Sequence, residues 1–355
     1  MNRTGRRATA SGITALLLAF CGPAPGWAAA APAPPPTWQP PPVDMSLVAP
    51  DSTPTPPDKY VRKYACLADD ASGAVLTSVP PAQSMLDIAG AQRISTGKGV
   101  TVAVIDTGVN KQSFLAGRLT GGGDYVDPST TNNGTVDCDG HGTITAGIVA
   151  ADTRGTGFGF TGVAPDADIL AIRQSSTAYL TSGATPTGAG NTASLAQAIR
   201  HAVDAGAQVI TTSVDECVPV TDPSQPIQLS PADRELQATV HYAVQHDVVV
   251  VNSAGNINSG KCQKTPQNSD PNPNLVNQIQ VPAVFAGDVL SVASVAPATG
   301  TVSSFSVWGP WVSVAAPGEG IVSIDPAAGR SGLANLYAEP GASRPNASTQ
   351  RLHAR

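Results

Sequence analysis

The chain has 355 residues, enough to bury one large core or two small ones. Only 13% of them are charged and the net charge is −6, so the chain carries no general basic excess for nucleic acid. Gly (35) and Pro (32) are abundant, and loops should be plentiful. At the start, Arg3, Arg6 and Arg7 precede the apolar stretch Ile13 to Phe20, and Ala28-Ala29-Ala30 follows, which is the pattern of an export signal over residues 1–30. A buried core helix is the alternative, and the Pro-rich segment that follows at once argues against it. Arg6-Arg7 alone does not make a twin-arginine signal, and Phe20 before Cys21 is not the small residue a lipoprotein signal uses. No other run reaches the ~18 apolar residues of a membrane span.

Residues 31–65 form a Pro-rich N-terminal extension, with Pro34-Pro35-Pro36 and Pro40-Pro41-Pro42 within it. Such a segment is extended, with polyproline character. It reads either as a flexible spacer or as a strap along the following domain, held at its end by Cys66. From Gly99 onward, strands and helices alternate. Val100–Ile105 is a continuous apolar run, Gly142–Ala150 a helix and Ile169–Ile172 a short strand. Asn191–Ala205 has helical spacing through Leu195, Ala198, Ile199, Ala202 and Val203, closed by Gly206. Val209-Ile210 begins a strand, Leu236–Val244 is a helix, and Val248–Val251 is a strand expected to be buried on both faces. Val289–Val295 and Val312–Ala315 also have strand character. This alternation predicts an α/β fold, a doubly wound parallel sheet with helices on both faces. Sites in such sheets lie at the carboxyl ends of the strands.

With the signal removed, Cys66, Cys138, Cys217 and Cys262 remain, an even number in an exported chain. Two disulfides are expected, with three connectivities open; Cys66–Cys138 and Cys217–Cys262 is the pairing favoured here. The cysteine spacing fits no zinc pattern, the acidic residues show no ligand spacing clear enough to name a metal, and no metal or other cofactor is assigned. Gly157-Phe158-Gly159-Phe160-Thr161-Gly162 matches a dinucleotide fingerprint by letter, but it follows a helix and precedes a strand, the reverse of what that motif needs.

Three blocks carry chemistry. Val102–Ile105 ends in Asp106-Thr107-Gly108; His141 lies in Asp139-Gly140-His141-Gly142-Thr143 at the mouth of a helix; Asn252-Ser253-Ala254-Gly255-Asn256 closes a later strand. Serine-type amide hydrolysis needs a base, an acid that fixes the base's tautomer, and donors where the oxyanion forms. His141 supplies the base, Asp106 the acid and the Asn256 amide the oxyanion donor. Each taken alone reads as readily as a turn, cap or structural residue; their order and placement join them.

Together these blocks resemble the subtilisin-like serine proteases (peptidase S8). With Gly121-Gly122-Gly123-Asp124-Tyr125-Val126, Asp137-Cys138, Gly162-Val163-Ala164-Pro165, Val314-Ala315-Ala316-Pro317-Gly318-Glu319, the Pro-rich extension and the four cysteines, the match is to the mycosins. It runs from about Pro34 to about Leu336. The resemblance implies a serine endopeptidase of the cell envelope, on the exterior of the plasma membrane, that processes or supports the type VII secretion membrane complex and acts on protein or peptide. It also places Ser213, in Thr211-Thr212-Ser213, on the substrate-binding strand, where the family commonly has Asn-x-Ser.

The family's Gly-Thr-Ser-x-Ala-x-Pro nucleophile block does not occur in these 355 residues. Ser323, Ser331, Ser343 and Ser348 are the late serines, and none has that motif. A peptidase domain over residues 66–328, incomplete at its end, is therefore expected, followed by an aberrant, disordered tail over 329–355 rich in Arg, Ser, Pro and Ala. A frameshift or mis-called gene end would account for the missing nucleophile, helix and membrane anchor together. Three readings follow: a truncated endopeptidase, an inactive pseudoprotease or peptide-binding scaffold, and a fragment that does not fold.

Overall fold

The computed structural model describes residues 38–67, 76–129, 131–220, 222, 225–257, 276–327, 329, 331–334, 336–337 and 350–351. All of these belong to one unit, residues 36–355. The expected export signal, Cys262, Ser343 and Ser348 lie outside the described residues.

In chain order the strands and helices begin with β1 (Tyr60–Arg62), α1 (Pro81–Met85), α2 (Ile88–Gln92), β2 (Thr101–Asp106) and β3 (Leu119–Asp124). Next come α3 (His141–Ala150), β4 (Asp168–Arg173), β5 (Ser176–Thr181), β6 (Gly188–Ala189), α4 (Thr192–Asp204), β7 (Val209–Thr212) and β8 (Glu216–Pro219). The later elements are α5 (Pro231–Gln245), β9 (Val249–Ser253), β10 (Gln278–Val281), β11 (Val289–Val295), β12 (Val314–Pro317), β13 (Ser323–Ile324) and β14 (Leu333–Ala334). The short strands β15 (Leu336–Tyr337) and β16 (Gln350–Arg351) pair antiparallel.

Seven strands form a parallel sheet in the order β12-β11-β9-β7-β2-β4-β3. The apolar run of β2 divides between two cores. Ala103 and Ile105 join Ile210 and Val250 beneath α4 and α5, whereas Val102 and Val104 join Ile169 and Ala171 beneath α3. Helices thus cover both faces, which is why β2 reads as unbroken hydrophobicity rather than alternation. Asn191 caps α4 through a capping box, and Gly206 follows that helix at a positive φ of 86°. Helix α5 starts five residues before the apolar pattern does, because Ser230 and Asp233 cap it reciprocally and Pro231 occupies its first turn.

Two expectations are corrected. Strand β9 is buried on one face only: Val250 is buried, while Val249 is 50% exposed and Val251 half-buried. Leu290, paired with Val251, and Val314, paired with Val292 on the next strand, are also exposed, so among the described residues the α3 side of the sheet is open over β9, β11 and β12. The expected disorder from residue 329 onward does not hold for Leu333–Ala334, which pair with Ser323–Ile324; buried Leu333 and Ile324 join the core under α3. Leu333 supplies the apolar anchor that the surrounding polar composition obscures.

Residues 38–67 lie against the domain. Ala49 is buried and donates its N–H to Thr239 Oγ1 at 2.9 Å; Arg234 and Gln237 of α5 donate to the carbonyls of Pro42 and Pro41. Pro54 sits where a Cβ on Gly123 would fall, so β3 needs glycine at that crossing. Strand β1 then pairs antiparallel with β5, and the disulfide Cys66–Cys138 ends the strap beside the site. Cys217 is also disulfide-bonded. Among the described residues, no helix is long and apolar enough to cross a membrane.

Candidate active site

Asp106 ends β2 and is 2% exposed. His141 opens α3, and its Nδ1 lies 2.7 Å from Asp106 Oδ1. The Thr107 N–H donates to the same oxygen at 2.7 Å, and Thr145 Oγ1 approaches the other at 3.4 Å. Burial opposes ionisation of Asp106, but the facing His141 and the donated hydrogen bonds outweigh it and hold the carboxyl below its ordinary value. An ionised Asp106 accepts from Nδ1–H, which fixes the tautomer and makes Nε2 the basic nitrogen of the ring. The His141 side chain is 24% exposed, so a proton can reach it from solvent.

The loop before His141 is a mount with several anchors. Asp137 is buried and accepts from Thr107 Oγ1 (2.8 Å), the Asp139 N–H (3.2 Å), the Gly140 N–H (2.7 Å), and the N–H and Oγ1 of Thr143 (2.8 and 2.6 Å). Burial pushes its carboxyl up to about 6 against those donors. Asp139, also buried, accepts from Ser176 Oγ, the N–H and Oγ1 of Thr177 and the Ala178 N–H, tying the loop to β5. Between them, Cys138 is bonded to Cys66. Gly140 takes a φ of 87° to turn the chain into α3, and Gly142 packs so closely on the Gly108 carbonyl that no Cβ fits. Sequence reasoning named Asp106 and His141 but assigned no role to Thr107, Asp137, Asp139 or Thr143. The signal was the doubled acid around a cysteine in Asp137-Cys138-Asp139.

Asn256 lies just past β9 and bridges to Ser306, with the Ile257 N–H donating to the Phe305 carbonyl at 2.8 Å. Ser213 follows β7, the strand between β2 and β9, and is half-buried. Asp106, Ser213 and Asn256 therefore stand in that order on three adjacent strands at one carboxyl edge of the sheet. Ser323 is buried under α3 and donates to the Ile144 carbonyl at 2.7 Å, a structural use of its hydroxyl. Ser331 is exposed, on the turn before β14. A cavity of about 330 Å³ lies along β8 and β10 between Val218, Ile227 and Ile279, and no candidate catalytic residue lines it. Among the described residues no cluster of three or more His, Cys, Asp or Glu side chains could hold a metal. The dinucleotide-like glycines fall in the loop between α3 and β4, without a preceding strand.

A parallel sheet with an Asp-His pair across its β2 and α3 ends is the arrangement of the subtilases, and the chain belongs to the subtilase family, whose model matches residues 97–350. Among its relatives in that family are the mycosins. It is 39% identical over 290 residues to Mycosin-4 of Mycobacterium tuberculosis (strain ATCC 25618 / H37Rv), covering 81% of this chain and 61% of that protein. The chain thus spans under two thirds of that relative's length. Among solved structures, it is similar to the MycP3 protease from the type VII (ESX-3) secretion system, with a TM-score of 0.72 and 34% identity over 89% of this chain and 84% of that one. The periplasmic assembly from the ESX-5 inner membrane complex contains a chain with a TM-score of 0.73 and 33% identity, covering 86% of this chain and 78% of that one.

Proposed function

We propose that this chain carries the acid–base half of a subtilisin-like serine endopeptidase of the cell envelope, associated with a type VII secretion membrane complex. His141 is the general base, Asp106 orients it, Asn256 is the oxyanion donor and Ser213 pairs with an extended peptide. The observation that carries this reading is the 2.7 Å contact between His141 Nδ1 and buried Asp106 at the carboxyl edge of the sheet. Residues 1–355 contain no nucleophile block, so as they stand they bind peptide without cleaving it. The export signal over residues 1–30, the 31–65 extension and the 66–328 peptidase domain belong to the same reading.

Membrane association is proposed from the likeness to a chain of the ESX-5 periplasmic assembly. Cross-linking of the exported chain in a cell with a type VII system, followed by mass spectrometry, is expected to recover components of that membrane complex. Recovery of none would overturn the partner assignment. Hydrolysis of a mixed fluorogenic peptide pool is expected to stay at the level of a His141→Ala variant. Turnover that is lost in that variant would overturn the assignment of residues 1–355 as non-cleaving.

A further inference from the structure

Asp106 and His141 sit on different elements, and their 2.7 Å contact needs the end of β2 and the start of α3 held in register. One carboxylate spans that junction. Asp137 accepts from Thr107, the residue after the acid, and from Gly140 and Thr143, which flank the base. Thr107 Oγ1 in turn accepts the Gly142 N–H at 2.9 Å, closing a ring of bonds around the first turn of α3. Asn110 braces the same point: its amide donates to the Asp137 carbonyl at 2.8 Å, and its Oδ1 accepts the Asp137 N–H at 2.9 Å.

We propose that Asp137 is a positioning residue, whose buried carboxylate locks β2 to the N-terminus of α3 and so sets the His141–Asp106 contact. This rests on the assignment of those two residues as base and acid. Asp139 and the disulfide hold the loop to β5 and to the strap, whereas Asp137 receives donors from both sides of the acid–base junction. A helix N-terminus favours a negative charge, and Asp137 is an acid placed there with five donors aimed at it. Asp137→Asn keeps the shape but turns one acceptor oxygen into a donor facing the donors of Thr143 or Thr107.

The test uses the ring protons of His141 in the full chain, followed by NMR at pH 8 with 15N-labelled histidine. The chain is expected to show a far-downfield Nδ1–H proton, absent in His141→Gln and lost or shifted upfield in Asp106→Asn. In Asp137→Asn the resonance is expected to be lost or to move upfield. Thr161→Val, which removes the hydrogen bond to the Ala151 carbonyl at the far end of α3, is expected to keep it. A folded Asp137→Asn with an unchanged resonance would overturn the proposal while leaving the base and acid assignment in place. Absence of the resonance from the unmodified chain would overturn the pairing itself, and the positioning role with it. Where Asp137→Asn does not fold, Thr107→Val removes the hydroxyl that bonds both Asp137 and the Gly142 N–H and keeps the carboxylate; an upfield shift supports the proposal, and no shift overturns it.

Discussion

At the residue scale, two of the buried acids beside His141, Asp106 and Asp137, respond to pH in opposite senses. Asp106 has a folded value held below its unfolded one, so its contribution to stability is fully present above the unfolded value near 3.8. That contribution is lost as pH falls through the depressed folded value. Asp106→Asn is expected to make acid unfolding below pH 4 less steep, read by circular dichroism. Asp137 is pushed up to about 6, so between about 4 and 6 the folded state binds its proton more tightly than the unfolded chain does. Its contribution therefore declines as pH rises through that window and is level above it. The thermal midpoint of the unmodified chain is expected to fall, relative to Asp137→Asn, between those pH values; parallel curves would contradict this. The sequence made Asp106 and His141 legible because each falls at an element boundary. Asp137 and Asp139 were less so, since their partners Thr107, Thr143, Ser176 and Thr177 come together only in the folded chain.

At the element scale, periodicity reveals cores better than it reveals caps and edges. The strand expected over 289–295 coincides with β11, where β-branched valines recur at 289, 292 and 295. Strand β3 carries no sequence signal: Gly121-Gly122-Gly123 has no strand propensity, and Asn133, Leu170 and Pro54 each occupy the place where a Cβ would fall. Helix α5 begins ahead of its apolar spacing because its first turn is set by a capping box. Two changes test how the elements are held. Gly142→Ala places a methyl on the Gly108 carbonyl and is expected to cost about 1–3 kcal/mol, read as a fall in denaturant midpoint. Replacing Cys66 and Cys138 by Ser frees a closure of 72 residues, with an expected loss of about 2–4 kcal/mol of stability. An unchanged midpoint would show that the hydrogen bonds of Asp137 and Asp139 hold the mount unaided.

At the scale of the whole molecule, the sheet is covered on its α4 and α5 side and only partly on its α3 side. Val249, Leu290 and Val314 expose apolar side chains from neighbouring strands, where parallel sheets are normally buried. Such a patch favours self-association. Val249→Thr with Leu290→Thr is expected to lower binding of an environment-sensitive dye and the self-associated fraction. The cost in stability should stay within about 1 kcal/mol, since exposed substitutions each change stability by about 0.5 kcal/mol or less. Unchanged dye binding would show that the patch is covered in solution. The open face was not legible in the sequence, because Val248–Val251 reads the same whether one face is buried or two.

We propose that residues 1–355 assemble an acid and a base without a serine for them to activate. Intact-mass analysis after treatment with a fluorophosphonate tests it most directly, since stable labelling requires an activated hydroxyl. The expected result is an unchanged mass, equal to that of a His141→Ala variant treated in the same way. A stoichiometric adduct that disappears in the His141→Ala variant would contradict the account and identify a working nucleophile.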